Sequence, residues 1–163
     1  MSEKLVKRSD KVAFMNVGTV EAPEFQRMRK FTDISTSKNP VEYSRRYVDE
    51  ESEQTDTTGY AEEKSYAFDQ YTENTVHEKI ANITDNELTG DEATVQVLVV
   101  DKSKTVDNGG FEARLRTYAV VPDTDGNSTD AYTYSGSLKA KGAFEKVTAT
   151  LSADEKTATI SAE

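Results

Sequence analysis

His77 is the only histidine in the chain, and cysteine and tryptophan are absent. Imidazole is the side chain that moves a proton near neutral pH. A nucleophilic triad also needs a serine or cysteine beside it and an acid to orient it. No Ser, Cys or second His is patterned as its partner, so His77 reads as a structural residue within a helix. Asp123-Thr124-Asp125-Gly126-Asn127 has part of the acid-and-glycine rhythm of a calcium loop. With Gly126 as sixth position, an EF-hand would need an acid at Val121 and a bidentate Glu at Tyr132. Neither is present, and a hydrophilic turn is expected instead. Gly109-Gly110 lacks the glycine spacing and the following helix of a phosphate cradle. Asn82-Ile83-Thr84 and Asn127-Ser128-Thr129 match glycosylation sequons, which matter only in a secreted chain. Acids are plentiful, yet none is tied by pattern to an apolar pocket that would tune it. The expectation is a protein that is not an enzyme and holds no metal or cofactor.

The residues that stand out instead are structural. Pro40-Val41-Glu42-Tyr43-Ser44-Arg45-Arg46-Tyr47-Val48 and Lys64-Ser65-Tyr66-Ala67-Phe68-Asp69-Gln70-Tyr71 are rich in the aromatic and β-branched residues of strands. Val41, Tyr43, Arg45 and Tyr47 share one face of the first run, and Tyr66, Phe68 and Gln70 share one face of the second. Between the runs, residues 49–63 hold seven acids, Asp49, Glu50, Glu51, Glu53, Asp56, Glu62 and Glu63, and almost nothing apolar. A loop of that length is functional or disordered, and two tyrosine-rich strands joined by a long polar arm suit a chain that builds something larger than itself.

The 163 residues predict one domain. An apolar content of 35% and a mean hydropathy of −0.73 allow a moderate core. The lack of cysteine excludes a disulfide scaffold and thiolate chemistry. Met1-Ser2-Glu3-Lys4 opens no signal peptide, and the longest apolar run, Val97 to Val100, is too short to cross a bilayer. A soluble protein made in the cytoplasm, without a membrane partner, is expected. Charge is divided unevenly. Residues 1–46 carry ten Lys/Arg against six Asp/Glu, a net of +4; residues 47–163 carry ten against 24, a net of −14. So acidic a body makes a poor nucleic-acid binder, since phosphate affinity comes from Lys and Arg.

Residues 1–38 show no sustained period, and Gly18 and Pro23 break Met15 to Val20 and Ala22 to Phe25 into short extended pieces. This predicts an extended N-terminal arm with one or two short strands. Its cations, Lys4, Lys7, Arg8, Lys11, Arg27, Arg29 and Lys30, are candidates for docking on the anionic body of a neighbouring copy. Residues 39–163 form the expected domain. Val76, Ile80 and Ile83 recur at helical spacing with Leu88 a turn on. Thr72 or Asn74 can cap the start and Gly90 lies past the end, which predicts a helix over 74–88. Ala93 to Val100 reads as a central strand buried on both faces. A turn at Asp107-Asn108-Gly109-Gly110 leads into strict alternation from Phe111 to Val121: Phe111, Ala113, Leu115, Thr117 and Ala119 on one face, Glu112, Arg114, Arg116 and Tyr118 on the other. Tyr132, Tyr134 and Leu138 share a face of a strand over 131–141. A last pair, 144–151 and 156–161, turns at Ala153-Asp154-Glu155. The fold class is mainly β: an antiparallel sandwich or sheet flanked by one helix.

Thr36-Ser37-Lys38-Asn39-Pro40-Val41-Glu42-Tyr43-Ser44-Arg45-Arg46-Tyr47-Val48-Asp49-Glu50, followed by Thr55-Asp56-Thr57-Thr58-Gly59-Tyr60 and Tyr66-Ala67-Phe68-Asp69, resembles the major tail proteins of long-tailed, non-contractile bacteriophages. Through the helix and strands to Lys141-Gly142-Ala143-Phe144, the resemblance spans about residues 12–163. It implies a helix-flanked β-sandwich, six copies to a ring, and rings stacked as a tail tube around a tape-measure protein. It further implies a continuous inner barrel through which DNA leaves without sequence-specific binding. Tail terminator and tail-tip proteins would be the other partners, and the virion tail the location. The arm and the loop would reach neighbouring subunits. Many relatives add an immunoglobulin-like domain at the C-terminus; this chain ends at Glu163, so adhesion by that route is not expected.

The residues alone agree with a barrel closed across subunits, which removes aggregation-prone edges, and with an acidic wall that does not hold phosphate. Strands at 41–48, 64–71, 93–101 and 111–121 are expected to line the bore; Arg45, Arg46, Arg114 and Arg116 either face it, which would make it less acidic, or bridge acids between subunits. The alternative is a carbohydrate- or receptor-binding β-sandwich of a tail tip or fimbria-like assembly, using Tyr118, Tyr132 and Tyr134 as a sugar platform. A third is another ring-forming part, such as a terminator or connector.

Overall fold

Two strands have apolar residues on both faces, and the rest of the molecule is layered on them. The computed structural model describes residues 3–19, 21–106 and 109–161. Val20 and the Asp107-Asn108 half of the expected turn lie outside the described residues. The elements are β1 (Lys11–Asn16), β2 (Phe25–Arg27), β3 (Phe31–Ser37), β4 (Pro40–Arg45), β5 (Gln54–Tyr60), β6 (Glu63–Asp69), α1 (Thr75–Asp85), β7 (Thr94–Thr105), β8 (Phe111–Asp125), β9 (Thr133–Ala140), β10 (Glu145–Leu151) and β11 (Thr157–Ser161), with short 3-10 turns at Arg8–Asp10 and Gly90–Ala93. The fold is mainly β with one helix, as the sequence predicts. β4 and β5 pair only with each other, and the other nine strands form one antiparallel sheet, β10-β11-β2-β1-β7-β8-β9-β6-β3.

That sheet closes on itself. β10 also pairs with β8, Val147 opposite Ala113, so β8, β10, β11, β2, β1 and β7 make a small barrel. Val12, Phe14, Leu98, Val100, Ala113 and Ala149 fill it. Alternate residues of the same strands, Ala13 and Met15 of β1 and Val95 and Val97 of β7, face the opposite way into a second core. There they meet Tyr66, Phe68 and Leu138 from β6 and β9, and Val76, Ile80 and Ile83 from α1. A strand between two cores is apolar throughout, as expected for 93–100. β1 has the same cause, and its unbroken burial from Val12 to Asn16 is why no alternation betrays it.

β8 links the two cores. Its odd-numbered face is buried at Ala113 inside the barrel, whereas Tyr118 and Val120, on the even face, are buried under the helix. The expected alternation is therefore right in period but changes its buried face midway. The cause is pairing: residues 111–115 lie beside β10, and 118–125 lie beside β9.

Three further expectations are corrected. The arm over 1–38 contributes β1, β2 and β3 to the sheet, and among the described residues the exposed stretch from Glu3 to Ser9 and half-buried Asp10 precede them. The acidic loop over 49–63 is half strand. Thr55, Thr57 and Thr58 supply the β-branched residues of β5, which pairs with β4 from Pro40↔Tyr60 to Arg45↔Gln54. The helix starts as expected, with Asn74 Oδ1 accepting the His77 N–H at 3.3 Å. It stops at Asp85, short of 88, because Glu87 turns left-handed at φ 51°. Glu87 N–H then bonds Thr84 O at 3.3 Å and Leu88 N–H bonds Ile83 O at 3.0 Å. This is the Schellman closure normally signalled by glycine.

Candidate assembly surfaces

The β4–β5 hairpin projects from the sheet with almost nothing covering it. Every residue of β4 is exposed, and within β5 only Gly59 is half-buried. Exposed apolar side chains run its length: Val41, Tyr43, Tyr47, Val48 and Tyr60. Its order is internal, through Ser44 Oγ and Thr55 Oγ1 at 3.0 Å and an Arg45 N–H donated to Tyr43 Oη at 2.8 Å. The turn carries Asp49, Glu50, Glu51 and Glu53, and Asp56 follows in β5. None of the five is in an ion pair among the described residues. Glu50 accepts from Gln54 Nε2 at 2.6 Å.

Glu62 and Glu63 do not belong to that turn. Glu62, 6% exposed, lies just past the hairpin's base and gathers partners from two strands and the link between β3 and β4. Arg116 of β8 donates to it, Tyr118 Oη donates at 2.8 Å, and Lys64 Nζ lies 3.3 Å away. Lys38 approaches to 3.8 Å. Burial pushes the Glu62 carboxyl up, but the Tyr118 hydroxyl and the Lys64 and Lys38 ammoniums outweigh it and leave it below its usual range. Burial lowers Lys64 despite Glu62, and burial with the Glu62 bond raises Tyr118. The node fixes the two arms of the hairpin to the body, helped by Asn39 and Ala61, whose backbones pair at 3.1 Å.

The helix covers one side of β6 and β9, and the other side is bare. Across it the register lines up short side chains: Ser35↔Ser65↔Ser137↔Val121 in one row, and Asp33↔Ala67↔Ser135 in the next. Ser37↔Glu63↔Lys139↔Ala119 makes a third. At Gly136 a Cβ would come within 2.5 Å of Val121 O and 2.8 Å of Tyr66 Oη, so glycine is required by the packing behind this face. The face ends in two strand edges: β3 is last in the sheet, and β8 beyond Ala119 has no partner on its β7 side.

The bore-lining expectation is corrected in part. β7 has cores on both faces and cannot line a channel within this fold. β4 stands outside the sheet, and residues 111–115 of β8 lie in the barrel wall. Only β6 and the end of β8 present the bare face, joined by β9 and β3, which the sequence did not single out for it. The sugar platform is also corrected, since Tyr118 is 2% and Tyr134 4% exposed while Tyr132 alone is open. Of the arm cations, Lys4 and Lys7 are exposed and Arg27 is half-buried in β2. Arg8 donates to Lys11 O at 2.6 Å and Ile34 O at 3.1 Å, Lys30 sits 5.4 Å over the Tyr71 ring, and Arg29 offers its carbonyl to His77.

His77 is a core residue. Its Nδ1 accepts the Tyr71 N–H at 3.1 Å, which assigns the proton to Nε2, donated to Arg29 O at 2.9 Å. The ring stacks on Phe68 at 4.3 Å, and burial lowers its pKa. Asp125 and Gly126 close the β8–β9 hairpin, with Tyr132 Oη donating to Asp125 at 2.7 Å. Among the described residues no group of three or more His, Cys, Asp or Glu is placed to share a metal, and no helix is long and apolar enough to cross a membrane.

No protein-family model matches the chain, and no curated protein matches it. Solved structures do. A chain of the tail of an empty gene transfer agent (GTA) particle, refined with C6 symmetry, is similar at a TM-score of 0.60 and 10% identity, covering 85% of this chain and 96% of that one. A chain of the virion of a native GTA particle is similar at 0.58 and 10%, covering 86% and 97%. A chain of the anti-feeding prophage baseplate, 6-fold symmetrised, is similar at 0.50 and 8%, covering 90% and 97%. At such identities the likeness is one of fold, over nearly the whole of each chain.

Proposed function

We propose that this protein is a tail-tube subunit of a phage-like particle. Copies join edge to edge into rings, rings stack into a tube, and DNA passes through the bore. The observation that carries this is the bare face of β8, β9, β6 and β3 between two open strand edges. An open edge is a template for another strand. Pairing β3 of one copy with the end of β8 in the next would satisfy both edges and close a barrel whose lining is this face. Six copies per ring is the symmetry of the GTA tail that shares the fold.

The chemistry of the face suits a conduit. Ser35, Ser65, Ala67, Ser135 and Ser137 at its centre are small, which favours a smooth bore. Asp33, Glu63 and Asp69 outnumber Lys139, so a duplex meets repulsion and no row of Lys or Arg to hold it. A tape-measure protein inside the tube, and terminator and tip proteins at its ends, are the partners this reading requires. Catalysis has no part in it.

Negative-stain electron microscopy of the concentrated protein, with mass photometry on the same sample, tests the reading. Rings or tubes with a central channel are the expected result. A monomer at every concentration and salt, in a sample also seeded with assembled tail tips, would overturn it.

A further inference from the structure

We propose that the recess at the base of the β4–β5 hairpin is a socket for the acidic hairpin turn of a second copy of this chain. The inference rests on the self-assembly just proposed and names its contact. The recess measures about 340 Å³ and lies between Lys38, Lys11, Arg114 and the Glu62 node. Five cations line it, Lys11, Lys38, Lys64, Arg114 and Arg116, against the two acids Glu62 and Asp101. Both acids are already engaged: Glu62 by Arg116, Lys64 and Tyr118, and Asp101 by Ser103, whose backbone N–H donates at 3.0 Å. Lys64 and Arg116 are buried against Glu62, and Arg114 also pairs with Glu112 at 3.7 Å. An excess of two positive charges therefore remains, in a chain whose net charge is −10. Lys38, 66% exposed in its side chain, carries it most openly to solvent. Its rim is apolar. Phe144, 47% exposed, lies under the Arg114 and Arg116 guanidiniums at 5.4 and 5.7 Å, and Tyr60 adjoins it.

The hairpin turn has the inverse of each feature. Asp49, Glu50, Glu51 and Glu53 make no ion pair among the described residues. Beside them Val48 is fully exposed and Tyr47 half so, an apolar pair suited to Phe144 and Tyr60. The two sites cannot meet in one molecule. They stand at opposite ends of a ladder running from Pro40↔Tyr60 to Arg45↔Gln54, about 20 Å apart at strand rise. A turn at one end and its socket at the other make a head-to-tail contact, which closes into a ring or continues between rings by repetition. Charge complementarity of this kind sets partner and register as well as affinity.

The test has two arms. Reversing the turn (Glu50→Lys, Glu51→Lys, Glu53→Lys) changes exposed side chains, whereas reversing the socket (Lys38→Glu, Arg114→Glu) also removes the Lys38–Glu62 and Arg114–Glu112 pairs. Association of each variant is therefore measured below its own melting transition. Each alone is expected to weaken association at least tenfold, and an equimolar mixture to restore it, since every contact is again complementary. Assembly of either variant at the native concentration, or no recovery on mixing, would overturn the socket. The second arm reads the contact without tubes, using a chain that has no cysteine of its own. Oxidation of mixed Glu51→Cys and Arg114→Cys proteins is expected to give a crossed dimer well above either variant by itself; equal yields would overturn the contact. A crossed dimer from a protein that never forms rings would separate failure of the tube reading from failure of the socket.

Discussion

β4 and β6 are strands of nearly equal length, both set with tyrosine. β6 buries Tyr66 and Phe68 to 2% and 0% exposure, while Tyr43 of β4 remains 45% exposed and Val41 51%. β6 gains its stability inside the chain, from α1 on one face and β3 and β9 on its flanks. β4 has only β5, and an isolated two-stranded hairpin is marginal in water. Strand propensity is thus the same in both, and the difference lies in what covers them. Aromatic side chains left uncovered along a strand are surface suited to another molecule.

The comparison breaks most visibly at Phe68. Phe68→Ala is expected to cost about 3–5 kcal/mol in denaturant unfolding of the isolated chain, the usual range for an aromatic removed from a core. A cost below about 1 kcal/mol would mean that β6 is no better supported than β4. Next in size is the node where hairpin joins body. Glu62→Ala leaves Lys64 and Arg116, 6% and 11% exposed in their side chains, without their shared acid. Stranding buried charge in this way costs about 3 kcal/mol. The same node gives acid sensitivity. The folded Glu62 carboxyl sits below its ordinary 4.5, so its contribution is full above that value and is lost as pH falls through the folded pKa.

Gly136→Ala probes the wall between the bare face and the helix core. The new Cβ would meet Val121 O at 2.5 Å, and backbone cannot yield as a side-chain tip does. About 1–3 kcal/mol is expected, as for overpacking, in thermal unfolding of the monomer. A neutral result would show that the bare face is looser than its register suggests.

How far these regions could be read beforehand depends on whether their signal is local. α1 was legible because Val76, Ile80 and Ile83 mark one helical stripe and Asn74 a cap. Its end was not, because Glu87 takes a conformation that glycine ordinarily announces. The period-2 pattern of β8 was legible, but its change of buried face depends on which strand lies alongside, and pairing leaves no trace in composition. β5 was hidden because a strand exposed on both faces has no alternation, only its threonines. β1 was hidden for the opposite reason, being apolar on both faces. The Glu62 node joins residues 54 positions apart, Glu62 and Arg116, and no spacing rule reaches that far. The acids and cations proposed for assembly were visible as types, whereas the recess that collects Lys38, Arg114 and Arg116 exists only in the fold.

A smaller effect follows from His77, which supports Phe68 from behind. Its neutral ring accepts from Tyr71 and donates to Arg29, and burial holds its folded pKa below the ordinary 6.5. A depressed imidazole contributes stability that is complete above 6.5 and lost as pH falls through the folded pKa. The melting temperature is therefore expected to fall between pH 7.5 and 5.5, with a shallower fall in His77→Gln. Equal slopes in the two proteins would remove His77 as the cause. The hairpin, which holds no imidazole, should show no such change in its amide protection factors.

The smallest effect is the most discriminating. Tyr43→Ala is expected to change the unfolding free energy of the isolated chain by no more than about 0.5 kcal/mol, the range of exposed substitutions. The interactions at hand are weak: the Arg45 guanidinium lies 5.3 Å from the ring, and the hydroxyl accepts the Arg45 Nε–H. An exposed cation–π pair is worth about 0.5–1 kcal/mol at most, and the Arg45 side chain can return to water when the ring is gone. The same substitution should weaken association of the assembled form measurably, because the ring lies on the uncovered face. A loss above about 1.5 kcal/mol in the monomer would mean that β4 packs on the body after all, and the contrast with β6 would fail. A small loss in the monomer together with a large one in the assembly would show that β4 receives from a second copy the cover that β6 receives from α1.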